Sequence, residues 1–214
     1  MKKRSFILFF ILSILTMNGQ TEMLIGQISG RTVARENFDE DSVLLNKQTF
    51  EAGEIMEKDG YYQIEVVTEL FDSENTSIEK YTTTYRCKPA EASVMVMAFP
   101  FAKPKSKETE INTTSKNFKE LYDLDNLEDI ELEMSFDSGL LNFFGSKSTI
   151  KIYDRQLDEN KNRIKSKINI KAYALGIRIK QFNYSVNEKL NENGLLTFQK
   201  FTEEDGSYFT MNYK

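Results

Sequence analysis

The chain has 214 residues with 33 Asp and Glu, 28 Lys and Arg, one cysteine and no histidine. Without histidine the commonest general base is missing, and so are the Ser/His and Cys/His nucleophiles and the usual zinc ligand sets. No stretch offers the spaced glycines of a phosphate cradle. Carboxylates remain, because an Asp/Glu pair can hydrolyse glycosides when one has a raised pKa and the other lies opposite it. Glu131 and Glu133 have a suitable spacing, since from one strand they would point the same way about 7 Å apart. Their alternation with apolar residues reads first as a solvated strand face. Asp123, Asp125, Glu128 and Asp129 are oxygen-rich but lack the turn glycine and ligand spacing of a calcium loop. No catalytic residue, metal site or cofactor is assigned, and a non-enzymatic protein is expected.

Two apolar stretches point instead to binding. Ala92 to Ala102 contains Val94, Met95, Val96, Met97, Phe99 and Phe101, so both faces of a strand there would be apolar. A fully buried strand explains this, and so does a cavity wall in which flexible methionines adapt to an acyl chain. Gly139-Leu140-Leu141-Asn142-Phe143-Phe144-Gly145 is an apolar loop bracketed by glycines, either a plug at a barrel end or a lip over a pocket. Met95, Met97, Phe99, Leu140, Phe143 and Phe144 are the candidate ligand-binding residues. Cys87 has no partner for an internal disulfide and reads as a buried, inert thiol.

The elements that must position these groups alternate with period two. Tyr62, Ile64, Val66 and Leu70 share one strand face after a Lys58-Asp59-Gly60 turn. Tyr81, Thr83, Tyr85 and Cys87 share another. Ile130, Leu132, Met134 and Phe136 follow, then Ile150 and Ile152, then Ile164, Ile168, Ile170 and Ala172, all reading as half-buried strands. Near Leu175-Gly176 the chain reverses, and a change of apolar parity predicts a bulge near Gln181. Leu195 to Phe201 and Ser207 to Tyr213 form a closing hairpin around Glu203-Glu204-Asp205-Gly206. One short helix is predicted near 117–124, where Asn117 can cap, Glu120 stands three residues on, and Phe118, Leu121 and Tyr122 share a face. Pro100 and Pro104, among Lys103, Lys105 and Lys107, mark a crossover. The fold expected is mainly β, a single curved antiparallel sheet closing into a barrel or half-barrel.

Residues 1–20 read as a signal peptide, leaving 21–214 as a single β-rich envelope domain. Met1-Lys2-Lys3-Arg4 is a basic start, Phe6 to Leu15 an apolar core broken only by Ser13, and Asn18-Gly19-Gln20 a small polar exit. That core is shorter than the roughly 20 apolar residues of a spanning helix, so the mature chain is expected to lack a transmembrane span and to be exported, periplasmic or extracellular. Removing Lys2, Lys3 and Arg4 leaves 25 basic against 33 acidic residues, a net charge of −8, which argues against a nucleic-acid partner. Charge is also segregated. Glu120 to Asp137 holds eight acidic and no basic residues, and Lys151 to Lys180 holds nine basic and three acidic. Cross-strand pairing explains this; a basic face of Lys165, Lys167, Lys171, Arg178 and Lys180 for an anionic partner is the alternative.

The succession Gly60-Tyr61-Tyr62, Glu69-Leu70-Phe71-Asp72, Tyr81 to Cys87, Met95-Val96-Met97 and Ile152-Tyr153-Asp154-Arg155 resembles the TapB-like family of secreted bacterial proteins of unknown function. The resemblance implies a curved sheet or barrel-like domain in the cell envelope and supplies no catalytic residue. The expected function is therefore a non-enzymatic envelope protein holding a lipid or other apolar or amphipathic ligand. The alternatives are an accessory protein that docks to another envelope protein, and a carboxylate-dependent glycan hydrolase.

Overall fold

The structure is a computed structural model that describes residues 28–88, 108–116, 124–125, 127–136, 147–174 and 176–214. The expected signal peptide and the six candidate ligand-binding residues lie outside these. Among the described residues there are twelve strands: β1 (Thr32–Phe38), β2 (Leu44–Ala52), β3 (Met56–Lys58), β4 (Tyr61–Phe71), β5 (Ser77–Cys87) and β6 (Glu108–Lys116), followed by β7 (Ile130–Phe136), β8 (Lys147–Leu157), β9 (Arg163–Ala174), β10 (Ile177–Leu190), β11 (Leu196–Thr202) and β12 (Tyr208–Tyr213). They form one sheet in the order β2-β1-β12-β11-β10-β9-β8-β7-β6-β5-β4-β3, and β2 also pairs with β4, Lys47 to Ala52 lying against Phe71 to Val66.

The protein is thus mainly β, with one large sheet. One pairing departs from the antiparallel expectation: β5 and β6 run parallel, Thr84, Tyr85 and Arg86 facing Glu108, Thr109 and Glu110. Parallel neighbours need a crossover of a dozen or more residues, whereas a hairpin returns antiparallel. The chain between Cys87 and Glu108 is long enough to supply one; Pro100, Pro104 and the lysines read as a crossover lie outside the described residues. The predicted helix falls largely outside the described residues, and Leu124 and Asp125 at its end form a turn.

Alternation selects the buried face. Ile64, Val66 and Thr68 of β4, Ile130, Leu132 and Met134 of β7, and Ile164, Ser166, Ile168 and Ile170 of β9 are buried, with more exposed residues between them. These apolar side chains join Phe50, Tyr85, Val186, Phe209 and Met211 in one hydrophobic cluster. Each fully buried large apolar side chain stabilises by roughly 1.5–3 kcal/mol, and truncating Leu132 to alanine would cost about 2–5 kcal/mol. The acidic stretch meets cations where β7 joins β8: Lys147, ahead of the basic stretch, pairs with Glu133 at 2.6 Å, and Lys151, its first residue, with Asp129 at 3.7 Å.

Five hairpins share one turn geometry. The amide of the fourth turn residue donates to the carbonyl of the first in Asp39–Ser42, Asp72–Asn75, Asp158–Lys161, Asn191–Gly194 and Glu203–Gly206. The donor residue has positive φ each time, from 54° at Lys161 to 94° at Gly206. This is a type I turn followed by a left-handed residue. The carboxylates of Asp39, Asp72 and Asp158 and the Asn191 amide oxygen accept further backbone N–H groups, which favours these residue types at the first position.

Candidate functional site

β8 and β10 run in the same direction, so the turns that follow them, at 158–162 and 191–195, lie at the same end of the sheet. Between them is a cleft of about 800 Å³. Its apolar surface comes from Leu190, which is buried, and Leu124, which packs against the hydrophobic cluster. Asn160, Asn162, Asn193 and Glu192 line its exposed part. Lys161 Nζ lies 3.1 Å from Asp125 Oδ1, an ion pair too solvated to hold the cleft shut. The Asn191 side chain is committed to its own turn, accepting from the amides of Asn193 and Leu195. The cleft therefore offers an apolar floor and a rim of amide and charged groups.

Two residues before Leu190 on the same face of β10, about 7 Å inward, the Glu188 carboxylate is buried. It accepts a 2.6 Å hydrogen bond from Gln199 Nε2, and Gln199 Oε1 accepts one of 2.5 Å from the Tyr213 hydroxyl. Burial and then the nearby Glu188 charge push the Tyr213 phenol up from its ordinary value. The neutral phenol is thus the form that donates into this chain.

A second polar group lies nearer the other end. The Arg35 guanidinium is 4.1 Å from the Phe209 ring centroid, and its Nε donates to Asn37 Oδ1 at 2.9 Å. Phe209 stacks on Phe201 with 4.4 Å between centroids, and Tyr184 meets both rings edge-on. Burial lowers the Arg35 pKa to about 10, with Tyr184 and Glu203 acting in the opposite direction. Arg35 is still a cation at neutral pH, in an aromatic surround.

Met95, Met97, Phe99, Leu140, Phe143 and Phe144 lie outside the described residues, and so does Asp123. Of the other candidates, Glu131 is exposed and the Glu133 carboxylate is engaged by Lys147. Asp125 is engaged by Lys161. Cys87 is fully buried beside Tyr85, as its strand position implied. Among the described residues no group of three His, Cys, Asp or Glu side chains converges. Sequence reasoning missed Arg35, Glu188, Gln199 and Tyr213. Glu188 did leave a signal, since it occupies the inward position in Tyr184, Val186, Glu188, Leu190, where the pattern calls for an apolar residue.

No family model matches the chain, and no curated protein matches it. Solved structures do. A Bacteroides fragilis protein with a YmcC-like fold, proposed to be exported, is 11% identical with a TM-score of 0.43, the match covering 86% of this chain and 93% of that one. A Parabacteroides distasonis protein, proposed to be a lipoprotein, is 12% identical with a TM-score of 0.41, covering 87% of this chain and 94% of that one.

Proposed function

We propose that this is an exported, non-enzymatic protein of the cell envelope whose strands enclose a space for an amphipathic ligand. The cleft at the β8–β9 and β10–β11 turns carries this reading, because it combines an apolar floor of Leu124 and Leu190 with an amide-rich rim. The ligand's polar end sits at Asn160, Asn162 and Asn193, and its apolar part lies against Leu124 and Leu190. The pairing of β2 with β4 supports closure of the sheet into a barrel, since it joins the two sides of the strand order. Polar groups on the inner face, Arg35, Glu188 and Gln199, suit a space that holds more than hydrocarbon. Met95, Met97, Phe99, Leu140, Phe143 and Phe144, outside the described residues, are the further apolar residues proposed from the sequence for such a ligand. Export is supported by the basic start, apolar core and polar exit of residues 1–20.

Native mass spectrometry of the protein purified from its own cell envelope tests the reading. The expected result is a mature chain beginning after the leader, with an amphipathic molecule bound one to one. The Leu190→Asp variant should lose that molecule while keeping a β-type circular dichroism spectrum. A bare polypeptide mass, together with no binding of a fluorescent fatty acid, would overturn the proposal.

A further inference from the structure

We propose that the outer face of β9, β10 and β11 is a docking surface for an anionic lipid bilayer. β9 places Arg163, Lys165, Lys167 and Lys171 on this face, alternating with the buried residues of the core. The register sets Arg163 directly against Lys189, and Lys165 against Asn187, whose other neighbour is Lys200. Like charges opposite one another on antiparallel strands destabilise a sheet. Nearby cations are answered, Lys147 by Glu133, Lys151 by Asp129 and Lys167 by Asp154 at 2.8 Å. Arg163, Lys165, Lys171, Lys189 and Lys200 make no such ion pair among the described residues. Lys189 and Lys200 lie over the rings of Phe198 and Tyr208, at 5.1 and 3.5 Å from the centroids. In a chain of net charge −5, this face reverses the overall sign.

The tip of the same hairpin identifies the partner as a membrane. β11 pairs with β10 only from Ser185 to Leu190, so the first half of β10 has β9 as its strand neighbour and projects beyond β11. There Ile177 is 70% and Ile179 52% exposed. Ile179 is the extra residue of a bulge between Arg178 and Lys180. Ile177 stands opposite Ala174, on the other side of the ribbon from Lys171, so the two isoleucines crown the hairpin's tip beyond the cationic face. Apolar side chains at such a tip enter the headgroup boundary of a bilayer while the cations beside it meet phosphates. A soluble polyanion would engage the cations and leave both isoleucines in water. From Arg163 to Lys171 the face spans about 26 Å, longer than the Debye length of about 8 Å at physiological salt, so separate headgroups are needed to answer it.

The test is co-sedimentation of the purified protein with phosphatidylglycerol-containing vesicles and with pure phosphatidylcholine vesicles. Binding is expected to be at least about tenfold tighter to the anionic vesicles and to weaken steeply with salt. Each cation near such a surface contributes about fivefold, so K165Q/K189Q/K200Q should bind about 100-fold less tightly. I177S/I179S should weaken vesicle binding about tenfold without changing retention by a soluble acidic polysaccharide. Thermal unfolding checks that the variants fold, and Arg163→Gln alone is the milder substitute, expected to lose about fivefold. Equal binding to both vesicle types, no binding to either, or wild-type binding by the charge variants would overturn the proposal. So would vesicle binding indifferent to Ile177 and Ile179 and abolished by the polysaccharide, which would assign the face to an acidic glycan.

Discussion

Gln199 donates a 2.6 Å hydrogen bond to the Glu188 carboxylate across β10 and β11, and the two residues are 8% and 6% exposed. Removing one partner leaves the other buried without its hydrogen bond, at a cost of about 1–3 kcal/mol. Glu188→Ala and Gln199→Ala should each lose at least that much in urea unfolding. The triple variant E188L/Q199L/Y213F removes the whole polar chain and should recover to within about 1 kcal/mol of wild type, since replacing both partners by apolar groups can be nearly neutral. A triple variant no more stable than the singles would mean that the chain is not a closed unit.

Alkaline pH should destabilise the fold. Burial, the largest cause, raises the phenol pKa of Tyr85, Tyr184 and Tyr213; the charges of Tyr81, Glu203 and Glu188 respectively add to it. The unfolded chain releases these protons near pH 10 while the folded chain keeps them. Their contribution is therefore intact below about pH 10 and is lost as pH rises beyond it, by about 1.4 kcal/mol per pH unit for each phenol. Spectrophotometric titration should show three tyrosines ionising only when the protein unfolds. Early ionisation of all ten tyrosines would refute this.

The shared turn geometry predicts a stabilising substitution. Ser42, Asn75 and Lys161 hold positive φ of 65°, 63° and 54° at positions that Gly194 and Gly206 fill in the other two hairpins. Side chains disfavour that region by roughly 1–2 kcal/mol, asparagine least. Glycine costs more unfolded-state entropy, so Ser42→Gly should gain about 0.5–1 kcal/mol and Asn75→Gly less. Gly194→Ala should lose about 1 kcal/mol. Melting temperatures of the three variants check the order.

Cys87 is fully buried on the inner face of β5. A thiol reagent should modify it at a rate set by opening of the sheet, at least about 100-fold more slowly than in urea-unfolded protein. Modification of the native protein at the unfolded rate would place the thiol at the surface and contradict the packing beside Tyr85.

Much of the strand pattern was legible because each residue's partner in alternation is two positions away. Tyr61 to Phe71, Ile130 to Phe136 and Arg163 to Ala174 carry their inward face in their own sequence. The bulge predicted near Gln181 occurs at Ile179, close enough that the parity change was its visible trace. Strands β1 and β6 were not legible. Thr32–Phe38 places charged Arg35 on the inner face, and Glu108–Lys116 contains one large apolar residue, Ile111, so neither shows alternation. The polar residues of the candidate site escaped for a related reason: Gln199 and Tyr213 lie on different strands, and only the β11–β12 pairing brings them together.

The amino-acid order by itself determined that the chain is pleated, which side of most strands is apolar, and that histidine-dependent chemistry is excluded. Those properties follow from composition and a two-residue repeat, both local. Tertiary structure alone decided that β5 lies parallel to β6, that β2 meets β4, that Glu188 reaches Gln199, and that five cations face outward with no ion pair among the described residues. Each depends on which strands become neighbours and in what register. That choice is made by burying all the apolar faces together, across separations over which no sequence pattern extends.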